Sequence, residues 1–239
     1  MQLSNLHQVP TAVRDSVREY AERVVAYGGE HVLGLTIYGA AAGPGFDGSL
    51  HMVHSLLMVD SLGLDILRRL SGDGTHFGRR RITAPVVMTP DFLKASRDAF
   101  PLELIEIQQQ RLVLLGEDYL ADVTFDAEHV RLQCERELKS ISVGMRQAVV
   151  VDGTKESTIH KAALPALYSL LRVLRGMLWL KGQRQPLPAA KILAEIENLA
   201  GRHLPGVREA FEFPSSVSWL TFERLYNHVE VLGQLVDGW

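Results

Sequence analysis

The stretch GLTIYGAAAGPGFDGSLHMVHSLLMV, Gly34 to Val59, decides how the rest of the chain is read. A β-branched and aromatic run leads into glycines and alanines, and a second apolar run follows. That order predicts strand, glycine-rich turn, strand. Such a hairpin can bring backbone N–H groups close to a phosphate, because glycine tolerates the turn and leaves no side chain in the way. The second strand carries His51, Val53, His54 and Ser55, and no acid. It ends in Leu56–Val59, apolar on both faces, as a central strand requires.

Outward from this hairpin the chain changes texture. Residues 11–28 place Val13, Val17, Tyr20, Val24 and Tyr27 at helical spacing, closed by Gly28 and Gly29. After the hairpin, LGLDILRRLSGDG predicts a short amphipathic helix and RITAPVVMT a third strand, with Pro85 marking an edge or bulge. TPDFLKASRDAF opens with a threonine cap and a proline at the first helical position. PLELIEI is expected to be a further strand, and RLVLLGED an apolar run ending in a turn.

From Asp126 onward the pattern is helical. Val130, Cys134, Leu138, Ile141 and Met145 form one stripe of a long helix, which VDGTKES breaks. AALPALYSLLRVLRGMLWL, residues 162–180, is apolar nearly all round. Arg172, Arg175 and Pro165 interrupt it, so a buried bundle helix explains it better than a membrane span. AAKILAEIENLAG closes at Gly201, and the last helix points Leu220, Leu225, Val229, Leu232 and Val236 inward. Four main helices with short connections predict an up-down bundle.

IYGAAAG followed by SLLMV, and FPLELIEIQQQRLVLLGED (Phe100–Asp118) leading into HVRLQCERELKS, resemble bacterial nucleotidyltransferase-domain proteins of the polymerase-beta-like superfamily. The subgroup resembled joins that domain to a helical C-terminal bundle, as aminoglycoside nucleotidyltransferases do. The resemblance implies an α+β fold: a nucleotidyltransferase-like mixed β-sheet domain over residues 1–122, then an antiparallel α-helical bundle over residues 123–239. It also implies a reaction in which a hydroxyl attacks the α-phosphate of a nucleoside triphosphate. Magnesium ions held by three carboxylates stabilise the charge. Two of those acids form an Asp-x-Asp pair on one face of a strand, and the third comes from a neighbouring strand.

Carried over residue by residue, Gly39 matches the turn glycine. Ala40 stands where serine or glycine is usual, and lacks a hydroxyl for a phosphate. The acid positions fall on Val53 and Ser55, or on Met52 and His54 if the register is displaced by one. Neither register supplies a carboxylate. The third acid is expected to survive as Glu103 or Glu106, with Glu103 preferred, because a strand points residues three apart to opposite faces. The resulting nucleotide-binding set is Gly39, Ala40 and Ser55, with no metal ligand assigned. Magnesium needs oxygen ligands, usually with carboxylate charge. The expectation is therefore a protein that has lost metal-dependent nucleotidyl transfer and acts as a nucleotide- or partner-binding, regulatory protein. The alternatives are an active transferase with a metal shell rebuilt from Glu103, Glu106 and Asp47 (Asp60 also flanks the strand), and a structural module whose cleft is filled by Met52, Val53 and their neighbours.

Other features bound the function further. The 239 residues are 46% hydrophobic and 22% charged, with a formal net charge of -3, so no global field recruits nucleic acid or an acidic membrane. A single cysteine excludes an intrachain disulfide and a multi-cysteine zinc site. The start of the chain lacks the pattern of a signal peptide, and a cytoplasmic location is expected. GAAAGPG lacks the Gly-Lys-Ser/Thr ending of a P-loop. His51 and His54 are three apart and would face opposite sides of a strand. FGRRR (Arg79–Arg81) is the one dense basic run, read as a solvated loop or a phosphate or nucleic-acid contact. A HEPN-type reading of the helical half is open, but its ribonuclease members carry Arg and His separated by four to six residues, and Arg224 and His228, one helical turn apart with three residues between, miss that pattern. Trp179, Trp219 and Trp239 are expected in core or interface. A homodimer or protein partner is expected to engage the bundle.

Overall fold

The computed structural model describes residues 3–43, 46–49, 51–152 and 155–239. Met1, Gln2, Pro44 and Gly45 of the glycine stretch, Leu50, and the Gly153–Thr154 break lie outside the described residues. The chain divides into two compact units, residues 1–97 with 104–124, and residues 98–103 with 125–239.

The first unit opens with α1 (Thr11–Gly28), which turns its valines, Tyr20 and Ala21 inward, while Tyr27 stays partly exposed. Strand β1 (Val32–Tyr38) passes through a single helical turn at Gly39–Ala42, and β2 (His54–Val59) returns antiparallel to it. Helices α2 (Leu64–Ser71) and α3 (Gly74–Arg79) lead to the short β3 (Val86–Met88), parallel to β2. Thr89 caps α4 (Pro90–Ala95) by accepting the Phe92 N–H. Helix α5 (Pro101–Gln109) precedes β4 (Arg111–Gly116), antiparallel to β1. Among the described residues the sheet is mixed and four-stranded, in the order β3-β2-β1-β4.

Period-two alternation sorts this sheet into two faces. Ile37 lies opposite Ser55 and Leu112, and Leu35 opposite Leu57. With Val53 and Val59, this face packs into one apolar core with Val13, Val17, Tyr20 and Val24 of α1. On the other face Thr36 lies opposite Leu56 and Val113, and Tyr38 opposite His54 and Arg111.

The second unit is helical. Helix α6 (Ala127–Asp152) packs along α7 (Glu156–Leu180), and the short connection makes the two antiparallel. The side chain of Asp126 accepts the Glu128 N–H just ahead of α6. The whole stripe from Val130 to Met145 is buried. Gly176 of α7 sits where a Cβ would collide with Leu102 and the sulfur of Cys134, so only glycine permits this approach. Helix α7 is long and apolar enough to cross a membrane, but half of its most apolar window is buried inside the protein. Helix α8 (Ala189–Ala200) ends on Gly201 in the left-handed region. A further helix, α9 (Pro205–Glu212), comes before α10 (Trp219–Asp237), and α10 packs on α6 and α9. Leu220 is not inward as its spacing suggests. It lies in the first turn, half exposed beside Trp219, and Phe222 takes the core position instead.

The α+β architecture, a mixed sheet followed by a helical region, is thus the one expected. One element is corrected: PLELIEI is a helix, not a strand.

Candidate functional site

The glycine turn of the first unit is built as the sequence suggests. Gly39 has φ of +71°, the left-handed region that favours glycine, and a Cβ there would meet nothing within 4 Å. Its N–H donates to the Gln110 carbonyl at 2.9 Å, which ties the turn to the start of β4. Ala40 is half-buried in the same turn.

The two positions that the nucleotidyltransferase pattern assigns to acids are closed. Val53 is 0% exposed and Ser55 1% exposed, both on the face packed against α1. The Ser55 hydroxyl is hydrogen-bonded to the Tyr20 hydroxyl at 2.8 Å. Burial pushes that phenol up to about 12, with the Ser55 bond pulling weakly the other way, so Tyr20 stays neutral. The Ser55 hydroxyl, expected at a nucleotide, is thus engaged inside the core, and α1 covers the face it points to. The reason is geometric: by period-two alternation Ser55 shares the α1-covered face with Val53 and Leu57.

The displaced register, Met52 and His54, falls on half-buried positions. His54 stacks on Tyr38, with ring centroids 5.7 Å apart and planes 29° apart. Its Nδ1 is 3.1 Å from the Thr83 hydroxyl, and that hydroxyl also donates to the Val53 carbonyl at 3.2 Å. Burial lowers the His54 pKa, and the nearby Glu106 carboxylate opposes the shift. Arg111, on the far side of Tyr38, forms a bidentate pair with Asp118. Tyr38, His54 and Thr83, beside the Gly39–Ala40 turn, make a half-open polar row at one end of the sheet. Such a row offers an aromatic surface and hydrogen-bonding groups, but no pair of carboxylates.

Glu103 is the residue expected to survive as the third acid. It lies in α5, where residues three apart share a side, so the strand-based choice between it and Glu106 loses its basis. Its carboxylate accepts from Gln133 at 2.8 Å and pairs with Arg172 at 2.9 Å in the second unit. Gln133 in turn accepts the Leu102 N–H, so the glutamate fixes the start of α5. Asp47 holds its own loop by accepting from the N–H and hydroxyl of Ser49. Asp60 pairs with His31. Among the described residues no group of three or more His, Cys, Asp or Glu is placed to share a metal ion. The donor set does not fit the magnesium that the resemblance implies.

The solved structures to which the chain is similar include that of an adenyltransferase. That solved structure is a spectinomycin adenyltransferase from Enterococcus faecialis, crystallised with ATP and spectinomycin. Identity is 12%, coverage 90% of this chain and 99% of that one, and the TM-score 0.43. No protein-family model matches the chain, and no curated protein does.

The remaining sequence features resolve into structure. Within FGRRR, Arg80 pairs with Glu19 of α1, and Arg81, at φ of +62°, donates to the His51 carbonyl. Arg80 and Arg81 thus hold α3 and the approach to β2. His51 accepts the Asp47 N–H and lies against Phe46, separate from the His54 row. Burial pushes the Cys134 thiol up to about 12, consistent with a packed residue and no nucleophile. Trp179 is buried against Phe125, with Arg184 over its ring. His228 has a buried Nδ1 without a hydrogen-bond partner, and burial lowers its pKa.

Sequence reasoning missed Tyr38 and Thr83. Tyr38 could have been found from its place directly before Gly39, in register with the second strand. Thr83 carried no signal, since its bond to His54 depends on the parallel β2–β3 pairing.

Proposed function

We propose that this protein is a nucleotidyltransferase-fold protein that has lost metal-dependent nucleotidyl transfer and works by binding. The observation that carries this reading is the closure of the acid positions: Val53 and Ser55 lie beneath α1, with Ser55 bonded to Tyr20. A working site of this chemistry needs carboxylate oxygens turned toward a triphosphate. Here one position is a buried valine and the other a satisfied core serine.

The half-open row of Tyr38, His54 and Thr83 next to Gly39 and Ala40 is the surface we assign to a retained ligand. An aromatic pair and a neutral imidazole suit a nucleobase better than a triphosphate, so binding is expected without magnesium. Calorimetry with nucleoside triphosphates, with and without Mg²⁺, tests the reading, together with a pyrophosphate-release assay. Binding that does not depend on Mg²⁺ and is weakened by Tyr38→Ala supports it. Magnesium-dependent binding with pyrophosphate release overturns it.

A second reading, a structural interaction module, is favoured by the same filled face and by the second unit. Val150 and Val151 at the end of α6, and Tyr168 on α7, are strongly exposed apolar side chains. A partner or a second copy of the chain would cover such residues. No nucleotide binding in the calorimeter, combined with a dimeric mass in solution, selects this reading over the first.

A further inference from the structure

The first unit contains a half-open cavity of about 200 Å³ that shares Thr83 with the proposed nucleotide surface and is otherwise separate from it. Its walls are Tyr20 of α1, Leu67 and Leu70 of α2, Phe77 of α3, Ile82 and Val87. Val87 lies opposite Leu57 and Ile82 opposite Val53, which puts the cavity on the α1-covered face of the sheet. We propose that this cavity is a binding site for an uncharged ring compound of one or two rings, held by shape and apolar contact.

Three observations set that ligand class. The first is size: an engineered apolar cavity of about 150 Å³ in another protein binds benzene, so this one has room for a somewhat larger ring. The second is charge. Among the described residues that line it, Tyr20 is the one ionisable side chain, and it is buried and neutral. A charged ligand would lose its hydration without gaining a counter-charge. The third is hydrogen bonding. Each side-chain hydroxyl on the wall already has a partner: Tyr20 pairs with Ser55, Ser71 donates to the Arg68 carbonyl, and Thr83 donates to the Val53 carbonyl. Polar groups of a ligand would find little unspent capacity. Tyr20 and Phe77 already meet edge to face, with centroids 5.1 Å apart, and a third ring can extend that arrangement.

Thr83 gives the site a consequence. It lines the cavity, and its hydroxyl is bonded to Nδ1 of His54. A ligand that moves Thr83 changes the hydrogen bond of His54 across the sheet.

The test uses the full-length protein, labelled with ¹³C at Ile, Leu and Val methyl groups, and three probes: toluene, indole and sodium benzoate. Expected are saturable shifts of the Leu67, Leu70, Ile82 and Val87 methyls with toluene and indole, and none for Leu225 or Val229 in the second unit. Benzoate should bind at least about tenfold more weakly, since its charge would be buried. Leu70→Trp and Val87→Phe fill the space and should each weaken toluene binding about tenfold or more, with native methyl dispersion retained. Shifts spread equally over both units, benzoate binding as tightly as toluene, or unchanged binding in a folded filling variant each overturn the proposal. So does the absence of saturable shifts in the wild type. If one filling variant fails to fold, the other and the ranking of the probes on the wild type still decide. The outcome is read apart from nucleotide binding, because the methyls followed belong to the pocket wall and not to the Tyr38–His54 surface.

Discussion

The two ends of β2 differ: from Ser55 to Val59 every residue is buried, while His54 at its start is half-open. Ser55 and Leu57 of β2, with Val53 just before the strand, point into the core beneath α1, while His54 between them sits half-open beside Tyr38 and Thr83. A displacement of one residue in alignment moves every assigned side chain from one face to the other. The lesson is that a motif placed by resemblance must also be placed by burial. In the Val53/Ser55 register the assigned positions fall on the side that α1 covers, and in the Met52/His54 register on half-buried positions.

The largest expected effect breaks this comparison directly. Val53→Asp restores an acid at the matched position. In this structure it buries a carboxylate with no counter-charge, so it should cost on the order of 4 kcal/mol or remain protonated. Urea denaturation measures the loss. A tolerated substitution that also gains magnesium binding would mean that the face opens to solvent and that the site is repairable.

Next in size is the Tyr20–Ser55 bond. Tyr20→Phe leaves the Ser55 hydroxyl unpaired in the core and should cost about 1–3 kcal/mol. Ser55→Ala strands the phenol in the same way. The double variant removes both polar groups and should be less destabilised than the sum of the single variants. A double-mutant cycle read by urea denaturation checks this. Additive losses would show that the two hydroxyls are not coupled.

Most of the scaffold was legible in the sequence because its periodicity is strong. The α1 valines, the Val130–Met145 stripe, the β1–turn–β2 order, and the caps at Thr89 and Gly201 all follow from spacing and backbone chemistry. PLELIEI was not legible, because Leu102, Leu104, Ile105 and Ile107 are all buried. With apolar residues facing all ways, a short run fits a strand and a helix equally well. Helix α9 was missed although Pro205 stands at its first position, since eight residues carry too few repeats. The site was less legible than the fold. Its register turned on whether Ser55 had a buried partner, and that partner, Tyr20, lies 35 residues earlier in the chain.

The half-open face supplies the third test, through pH. Burial lowers the His54 pKa, so between the unfolded value near 6.5 and the lower folded value the unfolded chain binds more protons. The contribution of neutral His54 is fully present above that window and is lost as pH falls through it. His228, also lowered by burial, acts in the same direction. His54→Gln should therefore flatten part of the acid limb of stability against pH while leaving the His228 part. Urea midpoints measured from pH 7.5 down to pH 5 show it. An unchanged acid limb in His54→Gln would mean that His54 is as well hydrated folded as unfolded.

The smallest effect is expected at Glu103, and it separates a structural acid from a catalytic one. Its pair with Arg172 is about one-third exposed on each side chain, where ion pairs contribute roughly 0–1 kcal/mol. Glu103→Gln keeps one acceptor oxygen for Gln133 and loses the charge and the second acceptor facing Arg172, and at this exposure the change in stability should stay near or below about 1 kcal/mol. A carboxylate that still held a metal would behave differently: its loss would leave stability alone and remove Mg²⁺ dependence from nucleotide binding. Titrating wild type and Glu103→Gln side by side distinguishes the two. Equal, Mg²⁺-independent isotherms fit an acid whose work is to hold the start of α5 against α6 and α7, and that leaves the hairpin from Gly34 to Val59 without its third carboxylate as well as its first two.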